Sequence, residues 1–224
     1  MRDLTPTPSY DATRSQVADY FDGTATRVWE RLTSDAPVSR IRQTVREGRD
    51  TMRALMLAQL PEDLRGARVL DAGCGTGAAS AELAARGADV TAIDISPKLV
   101  EIAAARMPEG LAGRVDFRAG DMLSPALGRF DHVIAMDSLI YYTRPDLEVA
   151  LEELRARTGQ IVFTLAPRTA LLMAMWHVGR AFPRADRSPT MIPHDHRRIN
   201  VAGLGRIGRV SRGFYISECL EVRA

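Results

Sequence analysis

The sequence is short of cysteine, of lysine and of long apolar runs, and each shortage excludes something. Among its 224 residues there are two cysteines, Cys74 and Cys219, too few for a disulfide framework or a cysteine-built zinc site. No apolar stretch reaches the ~18 residues that a membrane-spanning helix needs. The opening residues, MRDLTPTPSYD, lack the apolar core of a secretory leader, so a reduced, cytoplasmic protein is expected. There is no internal repeat, and no aromatic–basic interleaving of the kind that marks nucleic-acid binding. Lys98 is the only lysine, so 29 of the 30 basic residues are arginine. What is present is ordinary: 46% hydrophobic and 26% charged, in a chain long enough to bury a core without staples.

The net charge of +2 conceals an asymmetry. Residues 1–154 carry 18 basic and 24 acidic side chains, and residues 155–224 carry 12 basic and 4 acidic. The basic tail is either a solvated face or a region that meets anions, with Arg168, Arg197 and Arg198 as its candidates.

Residues 14–60 read as helical, with apolar residues at Val17, Tyr20 and Phe21 and again at Met52, Leu55, Met56 and Leu60. A break at Ser34–Val38, with Pro37, divides the stretch, and Pro61 closes it. Residues 1–62 are therefore taken as a helical arm, and residues 63–224 as the main domain. Strands are expected at 67–71, 89–94, 114–118, 130–136 and 160–165. Helices are expected at 78–86, from Ser96-Pro97 to Met107, and at 146–157. Ser96 is the cap of its helix and Pro97 its first residue. Strands alternating with helices point to an α/β fold, a parallel sheet with helices on both faces. The tail reads as a helix over 168–182, a proline-rich loop or lid over about 183–198, helix over 194–208, and a last strand over 214–222. The tight turn before that strand suggests an antiparallel edge.

Residues 69–77 read VLDAGCGTG. Gly73, Gly75 and Gly77 follow a strand and open a helix, where glycine allows a tight turn and close backbone approach. With Ala78 the spacing also fits a dinucleotide loop. The acids around it discriminate. Asp71 precedes the loop, and Asp94 ends the next strand, where a carboxylate can accept from both hydroxyls of a ribose. Asp121 follows the third strand and can accept from an adenine amino group, with Met122 as a wall. Asp137 and Ser138 follow the fourth strand. Asp71 would repel a pyrophosphate and favour the ammonium of a methionine moiety, so S-adenosylmethionine is preferred over NAD. Cys74, inside the loop, and Ile95, after Asp94, complete the candidate cofactor set.

VLDAGCGTG, Asp94, AGDM and FDHVIAMD, in this order, resemble the class I S-adenosylmethionine-dependent methyltransferases over about residues 65–165. That resemblance implies a Rossmann-like, mostly parallel seven-stranded sheet with an antiparallel last strand. The flanks narrow it. Tyr20-Phe21 with Trp29, VSRIRQTVREGRDTM, Leu165–Thr169, Phe182-Pro183, His194 with Ile199, and RGFYIS near the end are similar to magnesium protoporphyrin IX O-methyltransferases. The resemblance implies methyl transfer from S-adenosylmethionine to a propionate of magnesium protoporphyrin IX, in bacteriochlorophyll synthesis. S-adenosylhomocysteine is the other product, and magnesium enters only with the porphyrin. It also admits the porphyrin-binding subunit of magnesium chelatase as a partner, and the inner-membrane surface as a peripheral site. Two alternatives stand beside it: a methyltransferase for another small acceptor such as a quinone precursor, and a non-catalytic subunit that binds both ligands.

The resemblance makes Tyr20, Thr33, Tyr141, Tyr142 and His194 the candidates at the acceptor. Tyr141 stands where the family often has histidine, and Thr33 where it often has tyrosine. Tyr20, Phe21 and Trp29 either cover the porphyrin or pack the arm on the core. Tyr141 and Tyr142 either orient the carboxylate or pack at the rim. His194-Asp195-His196 is not read as a metal site, because residues i and i+2 do not share a helix face. His177 reads as a semi-buried histidine.

Overall fold

The computed structural model describes residues 8–23, 26, 30, 33, 39–169, 172–173 and 189–223. Among the described residues, the helices α1 (Pro8–Asp22) and α2 (Arg40–Leu57) precede the first strand. Ser39 caps α2, its side chain accepting from the Arg42 N–H. Then follow β1 (Arg68–Ala72), α3 (Ala78–Ala85), β2 (Asp89–Asp94), α4 (Pro97–Ala105), β3 (Arg114–Ala119), β4 (His132–Ala135), α5 (Arg144–Arg155), β5 (Gln160–Leu165), β6 (Leu204–Arg212) and β7 (Tyr215–Arg223). Ser96 caps α4 by accepting from the Leu99 N–H, as its sequence predicts.

The strands form one sheet in the order β3-β2-β1-β4-β5-β7-β6. β1 to β5 are parallel; β7 runs antiparallel to both β5 and β6. Successive side chains of a strand alternate between faces, and the core follows that rule. Val69, Ile134 and Val162 pack with Met52 and Met56 of α2 and Leu83 of α3. Their neighbours Leu70, Val133, Ala135, Ile161 and Phe163 pack with Leu147, Leu151 and Leu154 of α5 on the other face. Two-sided burial is what a parallel sheet with near-continuous apolar strands demands. The strand order reverses between β1 and β4. In open α/β sheets that switch point leaves a crevice at the carboxyl ends of the strands.

The tail corrects one expectation. His194–Gly208 does not form a helix: a single short 3-10 turn spans His196–Arg198, and β6 begins at Leu204. Gly203, Gly205 and Gly208 disfavour helix, and eight residues of β6 pair with β7 instead. The edge strand is therefore β6, and the last strand lies inside the sheet. α1 also starts at Pro8, six residues before the expected onset. Of the expected 168–182 helix, Leu172 and Met173 are helical. The break at 34–38, Trp29, His177, Phe182 and the first part of the expected lid, 183–188, lie outside the described residues. No described helix is long and apolar enough to cross a membrane.

Candidate active site

The carboxyl ends of β1, β2, β3 and β4 open into one cavity of about 370 Å³. Its floor is the glycine loop. Gly73 adopts φ +87°, and a Cβ there would lie 2.4 Å from the Cβ of Ser138, so only glycine lets this loop touch the β4 end. Ser138 Oγ donates to the Ala72 carbonyl at 2.7 Å, closing the same contact. The loop's N–H groups are largely spent. Gly73 and Cys74 donate to the Ile93 carbonyl, and Gly75 donates to Asp94 at 2.8 Å. A loop so committed is not built to cradle a phosphate, which argues against a dinucleotide.

The acids are individually held. Asp71 is 1% exposed and accepts from Ser80 Oγ of α3 at 2.6 Å. Burial pushes its carboxyl up to about 6; Ser80 opposes this and Asp94 adds to it. Asp94, also buried, accepts from the Ser96 N–H on one oxygen and the Gly75 N–H on the other. Burial raises its carboxyl too, against those backbone donors. Each of its oxygens keeps lone-pair capacity for a further donor, which suits a ribose diol. Asp121 takes the Tyr10 hydroxyl at 2.8 Å and the Leu123 N–H at 2.9 Å on one oxygen, and Arg14 on the other. Asp137 is the one non-glycine with positive φ, +55°, among the described residues. Its N–H donates to Thr164 Oγ1, and its carboxylate pairs with Arg49 and accepts from the Tyr215 hydroxyl at 3.2 Å.

The arm supplies the roof. Tyr10, Arg14, Val17 and Phe21 recur every three or four residues, so one face of α1 borders the cavity. Arg46, Arg49, Asp50 and Arg53 do the same for α2. The cavity thus combines buried acids below with arginines above. That pattern fits a cationic, ribose-bearing cofactor and an anionic second ligand.

Comparison with known proteins agrees with this site. A family model described as "Magnesium-protoporphyrin IX methyltransferase C-terminus" matches residues 135–224, and one described as "Methyltransferase domain" matches residues 69–159. A magnesium-protoporphyrin O-methyltransferase of Rhodobacter capsulatus is 61% identical, covering 96% of this chain and 98% of that one. The chain belongs to the magnesium-protoporphyrin IX methyltransferase family. A crystal structure of the family's Synechocystis member with bound SAH superposes with a TM-score of 0.78 at 30% identity, covering 94% of this chain and all of that one. The same enzyme with bound SAM gives 0.72 at 26% identity, covering 95% and 97%.

Within this family frame, the expected cofactor residues all border the cavity: Asp71, Gly73, Cys74 and Gly75 on the loop, Asp94 and Ile95 after β2, Asp121 and Met122 after β3, and Asp137 and Ser138 after β4. The expected acceptor residues divide. Thr33, Tyr141 and Tyr142 border it. Tyr142 is buried and stacked on Tyr10, ring centroids 4.7 Å apart. Tyr141 meets Phe21 edge to face, and burial, with Asp137, pushes its phenol above the usual value. Tyr20 and His194 are not on the cavity wall. Tyr20 packs behind Phe21 at 5.1 Å. His194 is buried with Nε2 3.1 Å from the Tyr142 carbonyl, and burial lowers its pKa. His196 faces Glu218 instead, so the two histidines diverge. Arg168, Arg197 and Arg198 of the basic tail are also absent from the wall. Tyr10, Arg14 and Arg49 also border the cavity, and sequence reasoning does not single them out; the helix-spaced arginines at 46, 49 and 53 are the signal that could have found this wall.

Proposed function

We infer that this protein transfers the methyl group of S-adenosylmethionine to a propionate carboxylate of magnesium protoporphyrin IX, giving the monomethyl ester in bacteriochlorophyll synthesis. The magnesium belongs to the porphyrin. The observation that carries this reading is one cavity with buried acids at the β1 and β2 ends and an arginine wall from α2, in a chain of this family. A quinone-precursor enzyme would have less use for that wall, since its acceptor is not a carboxylate.

S-adenosylmethionine supplies a methyl group on a sulfonium, which makes it electrophilic. Asp94 is assigned to the ribose hydroxyls, and Asp121 with Met122 to the adenine. Asp71 and the loop from Gly73 to Gly75, with Cys74, are assigned to the amino-acid end, and Ile95 to the wall beside the ribose. Ser138 holds the β4 loop against Gly73. A propionate has a pKa of about 4 to 5 and is ionised at neutral pH, so no general base is required. Tyr141, held protonated by burial, acts as a hydroxyl donor rather than a base. Thr33 is a second hydroxyl on the same wall. Tyr142 shapes the rim through its stack with Tyr10. Tyr20 and His194 support Phe21 and the Tyr142 backbone from behind. Alignment of this kind supplies roughly 7–11 kcal/mol. Residues 1–62 serve as the cover, because α1 and α2 form the roof. Delivery belongs to the same proposal: a porphyrin-binding chelatase subunit, at the inner face of the membrane, brings the macrocycle. The exposed Ile41 and Phe214 support such a face.

The test is incubation with magnesium protoporphyrin IX and S-adenosylmethionine, followed by mass spectrometry. One added methylene is expected. No ester from this porphyrin, and turnover of a quinone precursor in its place, would overturn the assignment.

A further inference from the structure

We propose that Arg49 is the anchor for the acceptor carboxylate, and that the carboxylate gains it by sharing or exchange with Asp137. This rests on the reading above that the acceptor is a propionate. The acids follow the sheet order. Asp121 follows β3, Asp94 closes β2, the glycine loop follows β1 and Asp137 follows β4. With adenine at Asp121 and ribose at Asp94, the methyl-bearing end of the cofactor falls toward β1 and β4.

The cavity wall there is hostile to a carboxylate. Asp71, Asp94, Asp121 and Asp137 all border the cavity, and like charges in a half-buried site repel strongly. A guanidinium at the same end answers that. Arg14 is committed to Asp121, at the adenine end. Arg53 is turned to Glu82 of α3 and to Asp50. Arg49 meets the acid at the β4 end, with both partners largely buried. A guanidinium has five N–H donors in a planar fork, enough to hold two carboxylates at once.

Asp137 is built to tolerate the loss of part of that contact. Thr164 Oγ1 donates to its carboxylate at 3.1 Å and the Tyr215 hydroxyl at 3.2 Å, so releasing Arg49 does not orphan the acid. Its backbone is fixed by the N–H bond to Thr164. The geometry around Arg49 is fixed as well. Gly48, its neighbour on α2, lies against the Tyr215 ring, so closely that a Cβ there would be 2.8 Å from it. The guanidinium therefore arrives with the roof helix, and the acceptor carboxylate is recognised by a part of the arm rather than by the sheet. An alcohol or phenol acceptor gains nothing from this exchange, which makes Arg49 a specificity residue for carboxylates.

The experiment measures binding of magnesium protoporphyrin IX and of its dimethyl ester to the protein saturated with S-adenosylhomocysteine. Wild type, Arg49→Gln and the double variant Arg49→Gln/Asp137→Asn are compared. The double variant removes both charges of the pair, so neither is left without its counter-ion. The wild type should prefer the diacid over the diester by about ten- to a hundredfold. Both variants, each kept saturated with S-adenosylhomocysteine, should lose that preference while binding the diester as before. A preference that persists in the double variant, or equal weakening of both porphyrins, overturns the assignment of Arg49. A wild type that forms no ester at all overturns the underlying reaction instead, so the two failures are distinguishable.

Discussion

Asp71 shows how a single side chain couples fold and ligand. Its β1 position buries it on the α3 face, where Ser80 gives it one strong donor. Burial still dominates and holds its carboxyl at about 6. The folded protein therefore binds this proton more tightly than the unfolded chain, so fold stability falls as pH rises through about 4 to 6. Binding of a cationic ligand has the opposite dependence, because the ionised form attracts an ammonium. S-adenosylhomocysteine should thus bind more tightly at about pH 7 than at about pH 5, with a step near 6. Asp94 and Cys74 lie beside Asp71, and burial raises both as well. Asp71→Asn should remove the step in a calorimetric titration series. A step that survives belongs to Asp94 and contradicts the role given to Asp71.

At the scale of elements, α2 carries the most information. One face buries Met52, Met56 and Leu57, and another lines the cavity with Arg46, Arg49 and Arg53. Gly48 lies between the two demands. Helix propensity alone would favour alanine there by about 1 kcal/mol. Overpacking against the Tyr215 ring, with a Cβ at 2.8 Å, costs about 1–3 kcal/mol. The clash should win. Gly48→Ala is expected to lower the urea midpoint and to weaken porphyrin binding by shifting Arg49. A higher midpoint would show that α2 moves freely on β7. The β6 strand makes the complementary point. Its burial does not alternate cleanly and it carries two internal glycines, so no local period announces a strand. Its pairing with β7 does that, and Glu218 draws Arg206 and Arg209 to the same hairpin.

For the molecule as a whole, the roof is tied to the rest of the fold both at the ligand site and beside it. Tyr10 and Arg14 reach Asp121, Asp22 accepts from Ser96, and Ser9 donates to Asp146 at the start of α5. A ligand seated in the cavity beside Tyr10, Arg14 and Asp121 binds the folded form and stabilises it by mass action. At a hundredfold excess over its dissociation constant, S-adenosylhomocysteine should raise the melting temperature by roughly 5–10 °C for a chain of this size. Differential scanning fluorimetry measures this directly. Hydrogen exchange should slow in α1 along with the loop, and protection confined to the loop would detach the arm from cofactor binding.

Short-range chemistry sets the local elements, and these are readable from the residues alone. β2 and β5 fall on the residues expected, and the Ser96 cap and the glycine loop stand where their short-range chemistry puts them. The acids Asp71, Asp94, Asp121 and Asp137 were legible for the same reason, since each ends or follows a strand whose pattern is visible. Tertiary structure alone decided the roof. Arg49 meets Asp137 from 88 residues away, Tyr10 meets Asp121 from 111, and Tyr215 meets Asp137 from 78. No local propensity encodes such contacts. They follow from how α1 and α2 pack over the sheet and from the place of β7 within it. The same packing puts arginines of a helix in the acidic half of the chain, rather than Arg168, Arg197 and Arg198 of the tail, on the cavity wall.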